Sequence, residues 1–224
     1  MYVTEPDVPL AVAIVTLTGP AAEAAGAVTV SEVAEAAVTV ALVPPNDTAL
    51  PPVVVAKLVP VMVTELPPAV EDGATFEENS VRKALHYARY ASGLLFADDS
   101  GLEVDALDGA PGVVSARFAG ANATDGANNG LLLEKLRSIK GASFPFAARF
   151  VCRIALVEGE RVVGVYSGSV EGSILDAPRG KGGFGYDPLF YFPPFGCTFG
   201  EVEGTRKFEV SHRGQALRAM LANL

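Results

Sequence analysis

Two adjacent carboxylates, Asp98 and Asp99, followed by the hydroxyl of Ser100 and a permissive Gly101, are the residues of this chain best suited to chemistry. Glu103 and Asp105 add two more acids within the same nine residues. Carboxylate and hydroxyl oxygens are the donors that a hard cation such as Mg²⁺ prefers. The preceding apolar run, Gly93-Leu94-Leu95-Phe96, reads as a short buried strand, so the acids are expected where that strand ends. In open α/β sheets, ligands bind outside the carboxyl ends of the strands. A strand-to-turn junction with solvated acids, its Asp98 or Ser100 bonded to local backbone, accounts for these residues equally well.

Four other places carry reactive side chains. Asn79, Lys83 and His86 recur at helical spacing, where Lys83 could meet a phosphate, although a solvated stripe is the simpler local reading. Arg117, in the Gly/Pro-rich stretch after Gly109-Ala110-Pro111-Gly112, is a candidate anion contact or a solvated loop residue. The run Gly182-Gly183-Phe184-Gly185-Tyr186-Asp187-Pro188 interleaves glycines with aromatics and an acid. Glycines there let backbone approach a ligand, Phe184 and Tyr186 offer faces for a base, and Asp187 can accept from a base edge. A hairpin loop with buried aromatics is the alternative. Finally, Ser211-His212-Arg213 would cap a terminal helix and put two basic groups in its first turn. That placement opposes the helix dipole and so points to a nearby ligand.

The elements that must hold these residues are partly legible. Thr75 as N-cap with Glu78 three residues on predicts a helix running to Ala91 and closing at Gly93. Thr124 predicts a second, structural helix to about Ile139. Alternation over 146–157 predicts a strand with Phe146, Ala148, Phe150, Cys152 and Ile154 on one face and Arg149 and Arg153 on the other. Residues 161–170 should return antiparallel to it, giving a mixed sheet. The first sixty-odd residues are different in kind: rich in Val, Ala, Pro and Thr, with Lys57 their only basic residue. They admit a small β-rich lobe, an unordered extension, or sequence outside the native reading frame. We therefore divide the chain into an atypical region, 1–64, and a second region, 65–224, which holds every residue singled out above.

Bulk properties limit the function classes. A net charge of −9 argues against broad nucleic-acid binding, which needs a basic face. No apolar run approaches a membrane span, and no Lys or Arg precedes the apolar stretch 8–18, so neither membrane partner nor targeting segment is expected. Two cysteines without metal-ligand spacing fit a reduced, cytoplasmic setting.

Together, Thr75-Phe76-Glu77-Glu78-Asn79, the 97–105 block, Gly109-Ala110-Pro111-Gly112 with Ser115-Ala116-Arg117, the 182–188 block and Ser211-His212-Arg213-Gly214 resemble the inosine triphosphate pyrophosphatase family, the noncanonical purine nucleoside triphosphate pyrophosphatases. The resemblance covers about Glu71 to the C-terminus. It implies an α/β, two-lobed fold with a long mixed central sheet flanked by helices, and a homodimer. The implied activity is Mg²⁺-dependent hydrolysis of ITP, dITP and XTP to the monophosphate and pyrophosphate. Asp99 would be the catalytic acid-base and a metal ligand, with Asp98 and Glu71 as further ligands. Ser100, Lys83 and Arg117 would contact substrate, Lys83 at the phosphates. Phe184, Gly185, Tyr186 and Asp187, joined by Lys207, His212 and Arg213, would form the base pocket.

One departure bears on activity. The family opens on a strand leading to a Thr-Gly-Asn loop and a Lys that grip the triphosphate. Here the nearest echo is Thr18-Gly19-Pro20-Ala21-Ala22-Glu23, with Pro for Asn and an acid for the Lys. A relative that binds purine nucleotides without hydrolysing them is therefore the alternative.

Overall fold

In the computed structural model, residues 67–141 and 143–224 are described in full, with the backbone alone of five short strands before them. The elements in chain order are β1 (Val12–Leu17), β2 (Val28–Val33), β3 (Val40–Ala41), β4 (Thr48–Ala49), β5 (Val61–Val63), α1 (Phe76–Tyr87), β6 (Leu94–Val104), α2 (Asp125–Arg137), β7 (Phe146–Glu158), β8 (Arg161–Ile174), β9 (Phe190–Phe192), β10 (Cys197–Thr198), α3 (Gly204–Val210) and α4 (His212–Leu221). The Thr18–Glu23 segment and the prolines at 44–45 and 51–52 lie outside the described residues.

Eight strands form one sheet in the order β10-β9-β8-β7-β6-β1-β2-β5. Only the β1–β6 pair is parallel, so the sheet is mixed, as expected, and helices pack on both faces. The expected strand end at Phe96 is wrong. β6 continues through the acids to Val104, because β7 pairs with it throughout, placing Asp98 opposite Ile154, Asp99 opposite Arg153 and Ser100 opposite Cys152. Inside a strand, neighbouring side chains face opposite ways. Asp98 and Asp99 are thereby separated.

Burial explains the length of β7. Its first half alternates as predicted, while its second half is buried on both faces. Ala84, Tyr87 and Ala88 at the end of α1 cover Leu95, Ala97, Ala155 and Val157. Ala216, Leu217 and Met220 of α4 cover Leu94, Phe96, Cys152, Ile154 and Leu156 on the other side. A third cluster, including Leu102, Leu132, Leu136, Phe150, Phe190 and Phe199, joins α2 to the far end of the sheet.

Local chemistry starts the helices where predicted. Thr75 Oγ1 accepts from the Glu78 amide at 3.1 Å, while the Glu78 carboxylate reaches the Ala74 amide at 2.7 Å, one residue before the cap. α1 stops at Tyr87, sooner than expected, and a single tight turn over Ala88–Tyr90 leads to Gly93 at φ +83°. Thr124 and Ser211 cap α2 and α4 through the amides of Ala127 and Gly214.

Close approach requires glycine at several positions, and two of them set the sheet against its neighbours. A Cβ at Gly101 would lie 2.4 Å from Ser115 Oγ, 2.6 Å from the Gly112 carbonyl and 2.9 Å from the Phe76 ring. At Gly168 it would lie 2.1 Å from the His212 carbonyl and 2.7 Å from the Ala216 amide, so this glycine lets the start of α4 lie against β8. Because both obstacles there are backbone, we expect Gly168→Ala to destabilise by about 1–3 kcal/mol through overpacking. Gly164→Ala is the control: its neighbour is the end of the movable Tyr166 side chain, and it should cost far less. Urea unfolding midpoints of the two variants check this, and equal midpoints would refute it.

Candidate active site

Lys83 sits at the centre of one polar cluster. It projects from α1, is buried, and its Nζ lies 2.8 Å from Asp99 Oδ1, 3.2 Å from the Asp98 carbonyl and 3.3 Å from Glu71 Oε2. Asn79, one turn earlier and fully buried, donates to Asp99 Oδ2 at 3.2 Å and accepts from the Gly73 amide at 2.8 Å. The solvated-stripe reading of these two side chains is thus wrong. His86 alone fits it, bonding the Pro67 carbonyl near the surface. Arg117 donates to the Glu71 carbonyl at 3.0 Å, so it holds the segment that carries Glu71.

Burial raises the Asp99 carboxyl above its ordinary value, against the pull of Lys83 and Asn79. Burial alone would lower Lys83, but Asp99 and Glu71 outweigh it and keep the ammonium charged. A carboxylate pushed upward beside a fixed cation is suited to taking a proton or orienting water.

Asp98 lies on the other face of β6. Arg213 Nε donates to Asp98 Oδ2 at 3.0 Å, and Arg213 Nη2 donates to Ser100 Oγ at 2.9 Å. Burial pushes Asp98 up, but the Arg213 guanidinium and Lys83 outweigh it and hold the carboxyl below its usual range. The expected trio of Glu71, Asp98 and Asp99 is therefore not brought together: the strand turns Asp98 to the guanidinium. Among the described residues no three His, Cys, Asp or Glu side chains converge on one point.

Next to Arg213 lies the second cluster. Phe184 stands out at 54% exposed, with Lys207 Nζ 4.6 Å and the Arg213 guanidinium carbon 5.7 Å from its ring centre. Buried Asp187 accepts from the Phe184 amide at 2.8 Å and pairs with Lys207. Its carboxyl is pushed up by burial, opposed by Lys207. His212 is buried and stacks on Phe150, with ring centres 5.0 Å apart and planes 14° from parallel. Burial, with Arg213 and Lys207 nearby, holds His212 well below its ordinary value of 6.5, so its imidazole is neutral at pH 7. Its Nδ1 has no hydrogen-bond partner among the described residues. Tyr186 is placed differently: its ring is buried and its hydroxyl donates to the Ser115 carbonyl at 2.8 Å, anchoring the loop.

The two clusters are joined by one peptide, since the Asp98 carbonyl meets Lys83 while its side chain meets Arg213. Sequence reasoning missed the residues that brace them, Ser115, Asp125, Asn128 and Asn129. Positions 125 and 129 share a helix face, but nothing in the sequence says what that face meets.

The profile of the Ham1 family matches residues 38–223. The chain belongs to the Ham1 family. A dITP/XTP pyrophosphatase from Exiguobacterium sp. is 50% identical over 160 residues, covering 71% of this chain and 80% of that protein. One from Thermus thermophilus is 55% identical over 152 residues, covering 67% and 72%. The solved HAM1 protein from Coxiella burnetii superposes with a TM-score of 0.65 at 43% identity, covering 70% and 82% of the two chains.

The buried neutral His212 has a consequence for folding. Its folded pKa is depressed, so below pH 6.5 the unfolded chain takes up a proton that the folded one refuses. Stability should fall as pH drops from 6.5 to 5, approaching about 1.4 kcal/mol per pH unit for one such group. His212→Phe, which keeps a ring against Phe150, should flatten this slope in urea titrations. An unchanged slope would place the titration elsewhere.

Proposed function

We propose that this chain is a nucleoside triphosphate pyrophosphatase that hydrolyses noncanonical purine nucleoside triphosphates, ITP, dITP and XTP, to the monophosphate and pyrophosphate. One observation carries the reading: a buried carboxylate paired with a fixed ammonium is joined through one residue, Asp98, to an aromatic and cationic cluster. The names of the Exiguobacterium and Thermus relatives agree with it.

Hydrolysis needs water directed at a phosphoryl group and negative charge neutralised around it. Asp99 orients the water and accepts its proton. Lys83 holds Asp99 in place through its 2.8 Å contact and adds positive charge beside the reacting phosphate. Glu71 and Asp99 both approach the Lys83 nitrogen, which brings two carboxylates of the kind Mg²⁺ takes into one neighbourhood. These two carboxylates would hold Mg²⁺, with water and phosphate oxygens completing its shell. The ion would neutralise charge on the phosphates. Arg117 keeps Glu71 within reach.

At the other end, Phe184 stacks the base, a contact worth roughly 1–3 kcal/mol. Lys207 and Arg213 present donors only, which suits a 6-oxo purine and leaves the 6-amino group of adenine facing like groups. Neutral His212 and Asp187, which lie beside these cations, complete the edge that meets the base. Ser100 is held by Arg213 toward the same side. On the family resemblance we also take the protein to be a cytoplasmic homodimer.

A second reading is that the chain binds purine nucleotides without turning them over, because Pro20 and Glu23 stand where the phosphate grip is expected. Pyrophosphate release from ITP, ATP and GTP, with Mg²⁺ and with EDTA, separates the two. We expect metal-dependent turnover of ITP well above that of ATP. Binding of ITP without turnover would favour the second reading. Asp99→Asn should abolish hydrolysis while ITP still binds, and a variant with full activity would remove Asp99 from the mechanism.

A further inference from the structure

The loop that presents Phe184 and Asp187 is built on two glycines in the left-handed region, Gly183 at φ +74° and Gly185 at φ +60°. Such glycines make the turn accessible but give it no stiffness of their own. Both backbone polar groups of Gly185 are held from one helix. Asp125 Oδ2 accepts its amide at 2.6 Å, and Asn129 Nδ2 donates to its carbonyl at 3.0 Å. The two side chains are four residues apart on α2 and so neighbour each other on its surface.

Asn129 is held there at a cost. Its Oδ1 is buried with no partner among the described residues. An unpaired buried acceptor is destabilising, so an apolar residue would serve the helix better. The amide is explained by what its other end does, which is to grip Gly185. Asn128 meanwhile holds the other loop, accepting from the Ala119 amide at 2.8 Å and donating to the Ala116 carbonyl at 3.0 Å. α2, which the sequence presents as scaffold, therefore braces both loops.

We propose that Asp125 and Asn129 are positioning residues for base recognition: by clamping Gly185 they fix Phe184 and Asp187 relative to Lys207 and His212. They set the affinity for the purine and leave the phosphoryl step alone. This rests on the pyrophosphatase reading above. A residue serving only the stability of α2 would lower the melting temperature without touching substrate affinity.

The test measures kcat and KM for ITP in Asn129→Ala, Asp125→Ala and Asp125→Asn, with inorganic tripolyphosphate as a competitive inhibitor that lacks a base. Asn129→Ala and Asp125→Ala should raise KM about tenfold, equivalent to about 1.4 kcal/mol of lost binding. Their kcat should stay within about twofold of the wild-type value, and tripolyphosphate should inhibit them as it does the wild type. Asp125→Asn keeps an acceptor oxygen and should restore a KM near the wild-type value. Asp125 is exposed, so its two variants decide the matter even if Asn129→Ala does not fold. Unchanged KM in Asp125→Ala, or kcat and tripolyphosphate affinity falling together with it, would overturn the inference while leaving the functional reading intact. A wild-type protein that does not hydrolyse ITP overturns the reading itself, and this inference with it.

Discussion

A buried ammonium sets the terms for the rest of this molecule. Lys83 is enclosed by Asp99, Glu71 and the Asp98 carbonyl, contributed by the segment before α1 and by the middle of β6. An unpaired charge at that depth would be strongly destabilising, whereas a paired and hydrogen-bonded one is tolerated. α1 must therefore lie at one height over β6, and the Glu71 segment must fold back across its start. The Thr75 cap, the Asn79 bonds to Gly73 and Asp99, and the Arg117 bond to Glu71 all serve that arrangement.

Asp98 and Asp99 show how position in a strand decides the role of identical side chains. Both are sheltered, yet the guanidinium of Arg213 holds one carboxyl down while burial pushes the other up. Environments that separate the proton affinities of two acids are how a site divides structural from reactive work. Asp98 links Arg213 to the strand and so ties the terminal helix to the sheet. Asp99 remains available on the opposite face.

Features governed by a few neighbouring residues were legible in the sequence. The caps at Thr75, Thr124 and Ser211, the alternation of β7 and its hairpin with β8 all follow from local chemistry. What was hidden depended on partners far along the chain. The continuation of β6 through Asp98, Asp99 and Ser100 looks unfavourable for a strand until β7 supplies its ladder and Arg213 its counter-charge. Lys83 and Asn79 read as surface residues because the acid that justifies their burial lies sixteen and twenty residues away. The family resemblance singled out Phe184, Asp187, Lys207 and Arg213, which the fold brings together, but Tyr186 turns inward to Ser115, an orientation that composition does not encode.

The absent side chain at Gly101 acts as an alignment key. Because alternation is strict, sliding β6 by a single residue would set Asp99 before the guanidinium and Ser100 before the ammonium, or Asp98 before the ammonium and Ala97 before the guanidinium, and either way one cation would lose its acid. Only a residue without a Cβ fits beneath Ser115, Gly112 and Phe76, and in the chain around it only position 101 qualifies. Leu102 and Ser100 on either side would collide there. The strand can thus be seated in one way, with Asp99 turned toward Lys83 of α1 and Asp98 toward Arg213 of α4, and that choice is written into the smallest residue of the run.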